Sequence, residues 1–347
     1  MRAAFIDARQ TLVVREVDTP EPGPDQVRVR IDYVGICGSD LHYYFEGANG
    51  AYVVREPLIP GHEVSGRIDR DPSGRWPAGT PVTVHPATFG DPAPSLPDAP
   101  HLWPNGAYLG SASTWPHTQG GLAEHLVVDR AMVRVLPGSL PVRRAVLAEP
   151  LAVALHALSR AGEVSGARVL VTGSGPIGLL AVAAAIDAGA GSVTATDVLP
   201  GPLARASALG ADRVVDVSAE ALDAGSYDVV LECSGVAASI SAALAAVRPR
   251  GVVVQVGMVP DEARPVNLAP FISKEVTFVG TFRFAEEIDA AVDLLDRRPE
   301  IEQVITHVLP ADDAEGAFAV ARDSERSGRV VVAVWPGDTP AAGAQSL

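Results

Sequence analysis

The stretch Arg168 to Asp197, RVLVTGSGPIGLLAVAAAIDAGAGSVTATD, decides the fold of this 347-residue chain. Val169-Leu170-Val171 is an apolar run without alternation and reads as a strand buried on both faces. Gly173, Gly175 and Gly178 follow at GxGxxG spacing, and Pro176, with Ile177 behind it, opens a helix where a missing N–H costs little. In this arrangement the first glycine makes a tight turn, the second admits a pyrophosphate, and the third lets helix and strand pack closely. The phosphates then sit at the helix N-terminus. A second strand, Ser192 to Thr196, ends at Asp197, 19 residues after Gly178, where a ribose-binding acid is expected. Such a carboxylate accepts from both ribose hydroxyls and repels a 2′-phosphate by about 4 kcal/mol per charge pair at ~4 Å and an effective dielectric near ~20. The following Val198-Leu199-Pro200-Gly201-Pro202 has no arginine to receive that phosphate, the nearest being Arg205. NAD is therefore expected over NADP. The competing reading of Asp197 is a solvated acid at a strand end.

The length suggests two domains, and 47% hydrophobic with 20% charged residues describes a soluble globular protein. A net charge of −15 argues against nucleic acid and anionic membrane surfaces as partners and favours a small molecule. The N-terminus has no long apolar segment, and Ile177 to Ile186 is too short to span a bilayer, so a cytoplasmic location is expected. Two cysteines, Cys37 and Cys233, fall in segments that read as different domains and fit a reducing compartment.

From residue 2 to about 140 short alternating strands separated by Gly/Pro punctuation predict a β-rich, barrel-like domain. GICGSDLHYY (35–44) and PGHEVSG (60–66) interrupt it, and AEPLAVALHAL (148–158) opens a helical pattern. Cys37, His62, Glu63 and Glu149 from these segments match the ligand types of a catalytic zinc with an open position. Taken singly, they read equally as a buried thiol, a core histidine and a helix-start acid. From about 152 to 284 strands and helices alternate, with six strands counting the first two, which predicts a doubly wound dinucleotide fold. The helical segment 286–295 and the strand Arg329 to Val334 are too short for a domain and are expected to complete the first one. The expected division is 1–151 with 285–347, and 152–284 inserted between them. The Pro/Ala/Gly tail after Trp335 reads as frayed.

Together GICGSDLHYY, PGHEVSG, AEPLAVALHAL, VTGSGPIGLL, LECSG and VVVQVGM resemble the zinc-dependent medium-chain alcohol and polyol dehydrogenases over essentially the whole chain. The resemblance implies an α/β protein with a GroES-like catalytic domain and a Rossmann domain. It implies one catalytic zinc held by Cys37, His62 and a carboxylate, either Glu63 or Glu149, and NAD lined also by Val256, Gly257 and Met258. It implies a proton relay through Ser39 and His42, for which the plainer readings are a helix cap and a surface residue. Tyr43, Glu149 and Arg283 match substrate-pocket positions; His117 is a further candidate for the pocket, though its plainer reading is an exposed loop histidine. Gly110-Ser111-Ala112, Pro116-His117, Gly120-Gly121 and Gly280 to Phe284 look most like the L-idonate 5-dehydrogenase branch, whose reaction is L-idonate to 5-keto-D-gluconate. Oxidation of sorbitol, L-iditol or xylitol is the alternative substrate. Between His85 and Gly110, where many relatives carry four cysteines for a structural zinc, this chain has none, so one zinc per chain is expected. That gap also leaves room for a reading from another class, a catalytically inactive NAD-binding sensor or structural protein. The strand Val276 to Gly280 is expected at a sheet edge, where family members pair subunits into a homodimer or homotetramer.

Overall fold

The computed structural model describes residues 1–335; the tail read as frayed lies outside the described residues. The long strand Gln26–Gly35 organises the first lobe. Val27, Val29 and Ile31 point inward while Arg28 and Arg30 point out, as the two-residue period of a strand with one buried face requires. Four strands pair with it antiparallel or extend its sheet through antiparallel neighbours: Glu63–Arg70, His125–Asp129, Pro81–Val84 and Val133–Val135. The chain's last described strand, Arg329–Ala333, returns to the other side of Gln26–Gly35 and carries Ile305–Pro310 parallel to it.

This register brings the chemistry together. Gly35 stands opposite both Glu63 and Val331, so three chain segments end at one place. Cys37 lies just past the end of one strand, His62 just before the start of the next, and Arg329 at the start of the third.

The second lobe is a six-stranded parallel sheet in the order Arg213–Asp216, Ser192–Asp197, Arg168–Thr172, Tyr227–Glu232, Val247–Gln255, Thr277–Gly280. Numbered from Arg168–Thr172 this is 3-2-1-4-5-6, the dinucleotide-binding order, with its switch point between Arg168–Thr172 and Tyr227–Glu232. Val169, Leu170 and Val171 are fully buried, each contributing about 1.5–3 kcal/mol relative to exposure. The helix Pro176–Asp187 is apolar nearly all round because it is covered by the sheet on one side and by the helix Ala148–Ala161 on the other. A single core runs from Leu147 and Leu151 through Val169 and Leu179 to Phe284, Ile288 and Val331, so the lobes share apolar packing along Ala148–Ala161. The helical segment expected at 286–295 is Ile288–Arg297. Thr277–Gly280 is the sheet edge, with Phe278 partly exposed on it.

Candidate active site

Cys37 stands at the N-cap of the helix Gly38–Glu46, and its backbone N–H donates to Asp40 Oδ2 at 2.9 Å. Asp40 Oδ1 accepts from the backbone N–H of Gly61 at 3.1 Å. One buried carboxylate therefore fixes the residue bearing the thiol and the residue preceding His62. Ser39 is not the cap of this helix; Cys37 is, and Ser39 lies partly exposed in the first turn. His42 is exposed on the same helix, with Nδ1 3.2 Å from Glu46 Oε1.

One ligand atom each from Cys37, His62 and Glu63 lie within 4.8 Å of one another, and among the described residues no other such trio of metal-binding side chains occurs. Glu63 is fully buried against Gly35, where an added Cβ would stand 2.1 Å from Glu63 Oε2. Buried Arg329 brings Nη1 within 3.0 Å of Glu63 Oε1 but donates to the carbonyl of Ile36 at 2.7 Å. Neither Glu63 oxygen then accepts a well-formed hydrogen bond. A buried carboxylate that is charge-paired with Arg329 yet accepts no hydrogen bond, beside a thiol and an imidazole, fits a bound cation.

The charges agree. Burial alone would lower His62, but Cys37 beside it, then Glu149 and Asp40, push it up to about 10. Burial raises Glu63 to about 7, with Glu149 adding and Arg329 opposing. The cluster is thus short of positive charge and holds protons where a divalent cation would displace them.

Glu149, in the first turn of Ala148–Ala161, accepts from Tyr108 Oη at 2.6 Å. Tyr108 is buried, edge-on to His62 with ring centroids 5.4 Å apart. The guanidinium of Arg283 lies 4.0 Å from the centre of the Tyr108 ring. Arg283 has a left-handed backbone, φ 51°, and borders a cavity of about 580 Å³ walled by Phe89, Trp103 and Trp115. Tyr43 is fully buried; its hydroxyl accepts from the Ala112 N–H at 3.1 Å and meets Ser111 Oγ at 3.2 Å. His117 is not an exposed loop histidine: it is buried, with Nε2 accepting from the Arg55 N–H at 2.9 Å and Nδ1 3.0 Å from the Thr114 carbonyl. It fastens two loops to each other.

At the cofactor end, Gly173 has φ 84°, and a Cβ on Gly178 would stand 1.9 Å from the Gly173 carbonyl oxygen. A Cβ on Gly175, the N-cap of Pro176–Asp187, would meet open space, the room a pyrophosphate needs. Asp197 is not a free solvated acid: Oδ2 accepts from Ser174 N–H at 2.9 Å, and Oδ1 from Val198 and Leu199 at 2.8 and 3.1 Å. Across the switch point, Glu232 is fully buried and accepts from Thr172, from Ser234 and Gly235 backbone, and from Gln255 Nε2 at 2.6 Å. It pins the loops on which Val256, Gly257 and exposed Met258 sit; the N–H groups of Val256 and Gly257 reach its carbonyl at 2.8 Å. Burial and Glu232 push the Cys233 thiol up, so it is a poor nucleophile.

Residues 23–138 match the family model "Alcohol dehydrogenase GroES-like domain", and residues 176–297 match "Zinc-binding dehydrogenase". L-idonate 5-dehydrogenase (NAD(P)(+)) of Escherichia coli K-12 is 32% identical over 336 residues, covering 95% of this chain and 97% of its own. The chain belongs to the zinc-dependent medium-chain dehydrogenases. The sorbitol dehydrogenase of Gallus gallus is 34% identical over 323 residues, 88% of this chain and 89% of its own. The crystal structure of L-idonate 5-dehydrogenase from E. coli superposes with a TM-score of 0.88 at 31% identity, covering 96% of this chain and 97% of that one. As a member of this family the chain is a polyol or sugar-acid dehydrogenase using zinc and a nicotinamide cofactor. No helix among the described residues is long and apolar enough to cross a membrane.

Asp40, Tyr108, Glu232 and Arg329 were not singled out in the sequence. Asp40 follows the usual Cys-Gly-Ser as a helix-start acid, and only its contact with Gly61 distinguishes it. Arg329 lies 266 positions from Glu63 (329 − 63), so nothing local links them.

His62 and Glu63 both bind protons more tightly in the fold than their ordinary 6.5 and 4.5. In chelated protein their contribution to stability is present at low pH. Glu63's share is lost from about pH 4.5 through about 7, and that of His62 from about 6.5 through about 10. Zinc needs both groups deprotonated. Thermal melts of chelated and zinc-loaded protein from about pH 5 to about 9 are predicted to diverge as pH rises. A gap that stays constant or narrows would contradict this site.

Proposed function

We propose that the chain oxidises a secondary alcohol of a sugar acid with NAD, L-idonate to 5-keto-D-gluconate. The observation that carries this reading is Arg283, a cation held by stacking over the ring of Tyr108, the residue that donates to Glu149, with no carboxylate partner among the described residues and on the border of a cavity. A planar guanidinium so placed is free to pair bidentately with a substrate carboxylate. Cys37, His62 and Glu63 are the proposed zinc ligands, and Glu149, held by Tyr108, borders the open position. Zinc bound there would acidify the substrate hydroxyl, and NAD would accept the hydride. Ser39 and His42, three residues apart on one helix face, are the proposed path for the released proton to solvent. Gly173, Gly175, Pro176, Ile177 and Gly178 are proposed to hold the pyrophosphate and Asp197 the ribose. Sorbitol oxidation is the second reading, favoured by the likeness to sorbitol dehydrogenase.

Replacing Arg283 by leucine is expected to raise KM for L-idonate about tenfold or more, the worth of a charge-assisted hydrogen bond, with much less change for sorbitol. Equal effects on both substrates, or sorbitol turnover alone in the parent protein, would sink the sugar-acid assignment.

The exposed edge Thr277–Gly280 is the proposed subunit contact, giving a homodimer or homotetramer. Analytical ultracentrifugation of Phe278→Pro, which removes an outward-facing edge N–H, should show a smaller assembly than the parent protein. A parent protein that sediments as a monomer would refute the assignment.

A further inference from the structure

The loop Asp323–Gly328 joins the helix Ala314–Arg322 to the returning strand Arg329–Ala333 and lies against the helix Pro200–Ala208 of the cofactor lobe. The backbones touch: a Cβ on Gly201 would stand 2.1 Å from the Glu325 carbonyl oxygen. The Gly201 N–H donates to the Glu325 carboxylate, at 3.2 and 3.1 Å to its two oxygens. Arg205 is drawn into the same loop. Its Nη1 donates to the Glu325 carbonyl at 3.1 Å, and its Nη2 to the carbonyls of Ser324 and Ser327 at 2.7 and 3.0 Å.

These contacts account for every donor in the turn after Asp197. Val198 and Leu199 give their N–H groups to Asp197, Gly201 gives its own to Glu325, and Pro200 and Pro202 have none. The nearest arginine has its terminal nitrogens committed to three backbone carbonyls. A phosphate added to a ribose 2′ oxygen at Asp197 would meet two carboxylates and no free donor in this turn.

We propose that Glu325, carried by the catalytic lobe, is a cofactor-specificity residue: with Asp197 it fills the place a 2′-phosphate would need and excludes NADP. The proposal rests on the reading that the adenosine ribose sits at Asp197. It differs from the usual sequence argument because the second acid comes from 128 residues further along the chain (325 − 197) and from the other lobe.

The test is equilibrium binding of NADH and NADPH, followed by the fluorescence of the reduced nicotinamide. It uses the full-length zinc-loaded protein and its Glu325→Gln, Glu325→Ala and Asp197→Ala variants. Both Glu325 variants are expected to improve the NADPH-to-NADH affinity ratio about tenfold, the scale of one partly screened charge repulsion near a protein surface. The gain should shrink in about 1 M salt, where the screening length is about 3 Å. NADH binding in the same samples reports whether each variant is folded. An unchanged ratio in both Glu325 variants, with the ratio shifted in Asp197→Ala, would overturn the role of Glu325 alone. Unchanged affinities in Asp197→Ala would overturn the ribose placement and the proposal with it.

Discussion

The site depends first on one buried carboxylate. Asp40 accepts from the backbone of Cys37 and of Gly61, so the thiol-bearing helix start and the turn before His62 cannot move apart without stranding a charge in the core. The sheet register does the rest. Gly35 opposite Glu63 and Val331 brings a third segment to the same point, and the missing side chain at Gly35 leaves the space that the Glu63 carboxylate fills. Arg329 then supplies a cation beneath Glu63 while spending its hydrogen bond on the backbone of Ile36. Such a buried set is a poor way to stabilise a fold. It makes physical sense as a preformed cradle for a divalent ion.

The cofactor lobe is built on a comparable economy of donors. Its glycines clear space at the end of Arg168–Thr172, and two carboxylates, Asp197 and Glu232, organise the turns on either side of the switch point. Because Ala148–Ala161 carries Glu149 in its first turn and packs on Pro176–Asp187, the proposed metal and cofactor ends share one rigid element. Reacting groups from two lobes can be held in register only if something of this kind connects them.

Much of this was legible in the sequence because it is written locally. The apolar run Val169 to Val171, the glycine spacing after it and the acid at Asp197 specify strand, turn and second strand end within 30 residues. Cys37, His62 and Glu63 sit in recognisable short motifs. The supporting residues were not legible, since their meaning lies in partners far along the chain: Arg329 under Glu63, Tyr108 on Glu149, Glu325 on Gly201. His117 shows the same limit from the other side. A histidine in a Pro-His loop reads as exposed, and only the backbone groups of Arg55 and Thr114 that close on it explain its burial.

The most direct test of the account is X-ray absorption at the zinc edge, with metal analysis, on the purified zinc-loaded protein. A single zinc per chain is predicted, with one sulfur neighbour at about 2.3 Å and the remaining neighbours nitrogen or oxygen at about 2.0–2.2 Å. Two zincs per chain, a sulfur-rich shell, or a shell without sulfur would contradict it.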